Sequence, residues 1–349
     1  MLVDRFDENP LIKPVDVPAS RPDYEVVGAF NPGAIVYRGQ TLLLLRVAER
    51  PKDKAEDEQV APIFNPDTGR VDHFRVKNND PRITDIPDSR SFYVDDMMFL
   101  TSISHLRLAR SVDGIHFDVA TAPAMFPATW SETFGLEDPR ITPIDGRHYI
   151  TYKSVSDKGI CTSLAVTDDF VEYRRLGMIF CPENIDVVLF PEKIGGLYWA
   201  LTRPVPRYIG PRGIWISSSP DLIHWGGHLP LLLPQPGTFH DGKTGGSCVP
   251  IKTDRGWLVI YHGSDWMDRY TLAAALLDLE DPRKVVARPQ EPLMEPEAEY
   301  EVKGFYGNVV FSCGATSDEE GNITIYYGAS DEYTAGAVTT VKKVMQTLE

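Results

Sequence analysis

The sequence predicts an all-β protein, a five-bladed β-propeller around a central funnel. Three observations lead there. A turn, usually carrying Gly, precedes a short apolar and aromatic strand five times: "YRGQTLLLLRVAE", "IDGRHYITYKS", "IGGLYWALTRP", "TDRGWLVIYHGSD" and "EEGNITIYYGASD". Each is followed by a second apolar strand: "LRLARSVDGIHF", "TSLAVTDDFVEY", "GIWISSSPDLIHW", "YTLAAALLDLEDP" and "YTAGAVTTVKKV". Helical periodicity is scarce, and only "TTVKKVMQTLE" at the C-terminus reads as a short helix.

Each element has a local cause. β-Branched and aromatic residues suit the pleated surface, and Gly, Pro and Asp mark the turns between strands. A period of roughly 40–60 residues with several strands per unit is the signature of propeller blades. Four of the five pairs are closely spaced, and the first carries an insertion near residues 50–104. The chain is read as one domain, 1–349. A two-sheet sandwich of similar strand count is the alternative architecture.

Composition narrows the function. The 349 residues carry a net charge of -15. That argues against nucleic acid, whose phosphates need a basic face, and against anionic membrane surfaces. No apolar run approaches the roughly 20 residues of a membrane-spanning helix. The start "MLVDRFDENP" lacks the basic and apolar regions of a signal peptide, so a cytoplasmic location is expected. Cys161, Cys181, Cys248 and Cys313 form no Cys-x-x-Cys pair and are expected as buried free thiols. Phosphate-binding Gly loops and zinc spacings are absent, so no cofactor or metal is expected. A homo-oligomer is compatible with the composition.

Polar residues that interrupt apolar strands should line the funnel, where every blade contributes to one small site. These include Asn31, Arg46 and Arg50; Glu137, Asp138 and Arg140 in "FGLEDPRI"; Asp186 and Glu192 in "NIDVVLFPEK"; and Arg203. Farther along stand Asp241, Lys243, His262, Asp265, Tyr306 and Asp331. Carboxylates, guanidinium groups and aromatic rings together suit a carbohydrate, whose vicinal hydroxyls take paired hydrogen bonds while its C–H face needs an apolar platform.

The stretches "AFNPG", "LLLRVAER", "FGLEDPRI", "DVVLFPEKI", "IWISSSPDLIHWG", "VPIKTDRGWLVIYHG", "LLDLEDPRKVVAR" and "NVVFSCG", in this order, resemble glycoside hydrolase family 130 nearly end to end. The resemblance is greatest to members acting on β-1,2-linked mannosides. It implies a five-bladed propeller and a small oligosaccharide substrate. Most such enzymes are inverting phosphorylases that split β-mannosides with inorganic phosphate and release α-mannose 1-phosphate. A minority are inverting β-1,2-mannosidases that use water. The resemblance implies that Asp138 is the general acid, delivering its proton through the 3-hydroxyl of the mannosyl unit. It implies that Asn31, Arg46, Arg50 and Asp265 hold that unit. Glu137, Arg140 and Tyr306 are further candidates for binding substrate, and Arg203, Lys243 and His262 for an anion or a second sugar.

One departure points to hydrolysis. Phosphorylases of the family often read Asn-Lys-Asp and His-Arg-Pro where this chain reads Asn184-Ile185-Asp186 and Thr202-Arg203-Pro204. Losing two charge-assisted contacts would weaken phosphate binding by roughly 3–6 kcal/mol. The expectation is therefore an inverting β-1,2-mannosidase, with Asp186, Glu192 or Asp241 as the base that activates water. The alternatives are a phosphorylase, with phosphate as co-substrate, and a non-catalytic sugar-binding propeller. A retaining enzyme would need a nucleophile about 5–5.5 Å from the acid, and the resemblance supplies none. A scaffold should expose large apolar patches, which this acidic chain does not suggest.

Overall fold

The computed structural model describes residues 2–348, and its regular elements are mostly strands. All five expected strand pairs form, each antiparallel. Gln40–Pro51 pairs with Ile103–Ser111, and Arg147–Ser156 with Gly159–Thr167. Tyr198–Pro204 pairs with Ile214–Ser219, Trp257–Ser264 with Tyr270–Leu277, and Asn322–Ala329 with Tyr333–Thr340. One more strand precedes each pair: Tyr24–Tyr37, Gly135–Ile144, Asn184–Leu189, Lys243–Gly246 and Val310–Ser317. An outer strand completes each set of four. In the last set it comes from the N-terminus, where Asp4–Arg5 pairs with Tyr333–Thr340. The first two sets are joined by a single parallel pairing of Ser104 with Gly135.

The turns explain the hairpins. Arg38–Gly39 and Asp145–Gly146 are two-residue connections in which both residues have positive φ, 51° and 78° in the first and 51° and 76° in the second. Such turns match the right-handed twist of the flanking strands, and Gly adopts the second position without strain. A second turn recurs at the far side of the units. Asp113, Asp169 and Asp221 each accept two backbone N–H groups through Oδ1, two and three residues onward.

The apolar faces of successive sets meet. Leu42, Leu44 and Leu106 pack on Ile141 and Ile150, and Leu164 packs on Val187 and Ala200. Val188 and Leu201 pack on Val259 and Tyr261, and Leu258 and Ile260 on Ile325 and Tyr327. The fifth set returns to the first, where Tyr326 meets Ala29, Leu43 and Leu45. The order of the chain therefore runs round a ring. Residues near 50–104 form a hairpin, Glu58–Asn65 with Arg70–Lys77, and a three-stranded sheet, Ile83–Asp88, Ser91–Val94 and Met97–Leu100. Ala61, Phe92 and Phe99 from this insertion pack on Phe134 and Val155.

The C-terminal helix is short, Val341–Met345, with Thr340 accepting the Lys343 N–H as its N-cap. No helix among the described residues is long and apolar enough to cross a membrane. Cys161, Cys248 and Cys313 are buried free thiols, but Cys181 is exposed, following directly on its strand at the sheet margin.

The two ends of the chain are tied by charge. Arg5 donates to both carboxylate oxygens of the fully buried Glu301, at 2.8 and 2.9 Å, and Tyr327 donates to the same carboxylate at 2.7 Å. Removing one partner of a buried pair leaves an uncompensated charge. Arg5→Ala should therefore cost roughly 3 kcal/mol, read as a lower urea midpoint at pH 7. An unchanged midpoint would show that the Tyr327 hydroxyl and the two backbone N–H groups on Glu301 suffice without Arg5.

Candidate active site

The site is made by one backbone device used three times. In the leading strands of the first three sets, the ladder slips at Asn31, Asp138 and Asp186, between Phe30 and Gly33, Glu137 and Arg140, and Ile185 and Val188. All three residues have positive φ, 48°, 48° and 52°. Bulges of this kind turn a side chain off the alternation of its strand. Asn and Asp tolerate the left-handed region because their short polar groups bond locally. All three side chains are buried.

A second regularity supplies positive charge. The residue just before each slip faces one residue of the neighbouring strand: Phe30 faces Arg46, Glu137 faces Lys153, and Ile185 faces Arg203. At the corresponding register in the fourth set Gly245 faces His262, and in the fifth Phe311 faces Gly328. Gly245 and Gly328 are needed there. A Cβ on Gly328 would lie 1.9 Å from Asn31 Oδ1, and one on Gly245 would lie 2.6 Å from Asp186 Oδ2.

These residues interlock. Asp138 Oδ1 accepts from Asn31 at 2.8 Å and from Arg46 at 3.3 Å, while Oδ2 accepts from Lys153 at 2.5 Å. The Lys153 ammonium is also 3.3 Å from Asp186 Oδ1. Arg140 reaches the same oxygen at 3.2 Å, and Arg203 lies 2.7 Å from Oδ2. Arg140 also donates to the carbonyls of Asp138 and Gly246. Glu137 pairs with Arg46 at 2.7 Å.

A cavity of about 180 Å³ opens on this cluster. Four cations line it, Arg46, Arg90, Lys153 and Arg203, against the carboxylates of Asp138 and Asp331. Tyr270, Tyr306 and Phe311 supply its apolar wall. Arg90 comes from the insertion. Its guanidinium sits 4.1 Å from the Tyr306 ring centroid and 3.6 Å from Asp331. A larger cavity of about 600 Å³ adjoins it, sharing Arg46, Arg90 and Asp331 and walled by Met97, Met98 and Phe134.

Environment separates the carboxyls. Burial pushes the Asp138 pKa up, but the Lys153 and Arg46 charges reverse that and hold it below the usual range. Asp186 is also held well below the usual range, because Arg203 and Lys153 outweigh burial. Glu137 and Asp331 move the other way. Burial dominates in both, and the nearby Asp138 charge adds to it against Arg46. Burial also pushes His262 down to about 4 despite Asp186 3.3 Å away. His262 is thus neutral at pH 7, and the charges that hold Asp186 are the guanidinium and ammonium groups.

Among the sequence candidates, the structure brings together Asn31, Arg46, Glu137, Asp138, Arg140, Asp186, Arg203 and Tyr306. It corrects six others. Glu192 lies beyond the other end of its strand, half-exposed and paired with Lys252 at 2.6 Å. Arg50 pairs with Glu25 at 2.6 Å, four residues and roughly 13 Å along the strand from Arg46. Asp241 and Asp265 belong to a neighbouring cleft. Lys243 is held by Asp268 at 2.7 Å, facing that cleft. His262 is completely buried behind Asp186 and does not line the cavity around Asp138. As a base, Asp186 is poorly suited, since three cations hold its charge. Sequence reasoning missed Lys153 and Arg90. Lys153 had a signal, an ammonium inside the apolar run "YITYKS" at the position Arg46 occupies one unit earlier. Arg90, on the insertion, had none.

The Asp186 charge has a pH signature. Its lowered pKa adds stability that is complete above the ordinary carboxylate value of 3.8 and is lost as the pH falls below it. Asp186→Asn should destabilise the fold by about 3 kcal/mol at pH 7. In denaturant unfolding the gap to the native protein should narrow below about pH 4. An equal gap at both pH values would mean that folding does not lower the Asp186 pKa.

The family model described as β-1,4-mannooligosaccharide phosphorylase, that of glycoside hydrolase family 130, matches residues 90–349. A β-1,2-mannobiose phosphorylase of Listeria innocua is 43% identical over 352 residues, covering 100% of this chain and 99% of that protein. A solved structure of the Listeria innocua enzyme with β-1,2-mannobiose superposes with a TM-score of 0.96 at 42% identity, over 100% of this chain and 99% of the other. A 1,2-β-oligomannan phosphorylase of Thermoanaerobacter sp. is 42% identical over 247 residues, 69% of this chain and 80% of that protein. A family structure described with hydrolases that target β-1,2 mannosidic linkages in Candida mannan is 20% identical, with a TM-score of 0.74 over 97% and 94% of the two chains, and shares the fold. The two relatives above 40% identity are named phosphorylases, so the expectation of hydrolysis gives way to its alternative. This chain belongs to glycoside hydrolase family 130, whose members cleave mannosides as glycosidases or glycoside phosphorylases.

Proposed function

We propose that this chain is an inverting phosphorylase of β-1,2-linked manno-oligosaccharides, with inorganic phosphate as co-substrate. The ring of five four-stranded sets is read as a five-bladed β-propeller, with the site at the starts of its innermost strands. One observation carries the reading: Lys153, Arg203, Arg46 and Arg90 converge on the cavity that holds Asp138. A phosphate dianion loses much hydration on entering a protein, and several charged donors are needed to repay it. The end-to-end likeness to a β-1,2-mannobiose phosphorylase supports the same conclusion.

The roles follow from position. Asn31, Arg46 and Asp331 hold the mannosyl hydroxyls, while Tyr306 and Phe311 face its C–H surface. Lys153 and Arg203 hold the phosphate, with Arg90 closing over it from the insertion. A phosphate oxygen attacks C1 from the face opposite the leaving group. The glycosidic bond breaks, and its oxygen takes a proton that originates on Asp138, relayed by the 3-hydroxyl. The products are α-mannose 1-phosphate and a mannoside shorter by one unit. Hydrolysis would need a second carboxylate free to take a proton from water, about 6.5–9.5 Å from the acid. Asp186 is held as an ion, and Glu192 and Asp241 stand elsewhere.

Two measurements test this. With β-1,2-mannobiose, mannose 1-phosphate should form in proportion to added phosphate. Lys153→Met should raise the KM for phosphate by about tenfold or more, the value of one charge-assisted contact, with less effect on the KM for mannobiose. Mannose release at a rate indifferent to phosphate would restore the hydrolase reading. Asp138→Asn keeps the shape but cannot donate a carboxylic proton, and kcat should fall by at least about 10²-fold with KM largely kept. Near-normal turnover in that variant would remove Asp138 from the acid role.

A further inference from the structure

A cleft of about 340 Å³ lies between the loops 206–212 and 264–268, outside the cavity around Asp138. The two share a wall. Lys243 holds Asp268 at 2.7 Å and sits 4.6 Å from the ring centroid of Tyr270, which lines the first cavity. Two large rings stand in solvent at the cleft, Tyr208 at 86% exposure and Trp266 at 79%. Asp265 Oδ1 fixes the second loop by accepting from the N–H groups of Met267 and Arg269, at 2.8 and 3.0 Å. The ring of Trp266 is therefore presented by a shaped turn.

The polar side of the cleft is unfinished. Ser264 is fully buried and its hydroxyl has no hydrogen-bond partner, although the residue lines the cleft. Asp241 Oδ1 is likewise buried without a partner. Buried polar groups are almost always satisfied, so a pair of orphans beside exposed aromatic rings marks a place where a ligand completes the bonding. The ligand class follows from the donors. Asp241, Asp265 and Asp268 offset Arg207, Arg212 and Lys243, and Lys243 is already tied to Asp268, which disfavours an anion. A pyranose fits: its C–H face stacks on an aromatic ring, and its hydroxyls donate to a carboxylate and exchange with a serine hydroxyl.

We propose that this cleft is a distal carbohydrate subsite, in which a mannosyl unit farther along a bound chain stacks on Trp266 and bonds to Asp241 and Ser264. The inference rests on the manno-oligosaccharide reading above, and it makes affinity depend on chain length. The test is calorimetric titration of the native protein, Trp266→Ala and Ser264→Ala with β-1,2-mannobiose and with β-1,2-mannotetraose, without phosphate. Each variant should lose roughly tenfold in affinity for the tetrasaccharide and stay within about twofold for the disaccharide. Ser264→Ala should keep the native unfolding midpoint, because its hydroxyl bonds nothing in the free protein. Equal losses on both saccharides, no loss on the longer one, or no binding of either by the native protein would overturn the proposal. Dissociation of a native dimer by Trp266→Ala, with saccharide affinity unchanged, would make the patch a contact between copies and also overturn it. Length-dependent binding without phosphorolysis would leave the subsite standing and remove only the assigned reaction.

Discussion

Lys153 lies between two buried carboxylates, 2.5 Å from Asp138 and 3.3 Å from Asp186. Much of the centre of this protein depends on that arrangement. An ion without a partner in a dry interior costs several kcal/mol even after relaxation. No one of Asp138, Asp186, Arg140, Lys153 and Arg203 is tolerable there alone. Together they offset one another to within one positive charge, and the backbone is shaped to let them meet. The slips at Asn31, Asp138 and Asp186 aim these side chains off their strands, and Gly245 and Gly328 leave room for them. The positive φ at each slip is strain that packing between the sets must support.

The repetition that builds the fold was more legible than the chemistry it carries. The five strand pairs could be read because a Gly or Asp turn and a short apolar strand are local signals. The leading strands of the first three sets were harder, since a slip in each breaks the two-residue alternation that marks a strand. The ring closure through Asp4–Arg5 joins opposite ends of the chain and has no local signal. Within the site, "FGLEDPRI" stood out because two acids beside Pro and Arg in an apolar run are hard to place elsewhere. Glu192 looked equivalent to Asp186, but six residues along a strand span about 20 Å, enough to reach the other side of the sheet.

The hydrolase expectation gave way to its alternative for a related reason. It judged the anion site from Ile185 and Thr202, two positions of the third set. Positive charge in this cavity is supplied by the first three sets in turn, at one register, and by the insertion. Lys153 from the second set puts an ammonium beside Asp186, where Ile185 offers nothing, and Arg90 arrives from a segment with no counterpart in the repeat. A substitution in one set is therefore poor evidence about a cavity lined by several. The register Arg46, Lys153, Arg203 carries this signal once in each of the first three sets.

The protonation pattern connects the charge cluster to the order of events in the proposed reaction. Without ligand, Asp138 is held as an ion by Lys153 and Arg46, while burial favours the neutral forms of Glu137 and Asp331. A general acid in that state lacks its proton. An anion bound against Lys153 and Arg203 changes the balance, because its charge competes for the groups that depress Asp138 and adds repulsion to every carboxylate nearby. Both effects raise the affinity of Asp138 for a proton. The acid is then competent chiefly when the anion is in place, and a cavity holding only sugar and water keeps Asp138 ionised. On this view the same cations bind the nucleophile and withhold the proton until it arrives, which disfavours loss of the mannosyl unit to water.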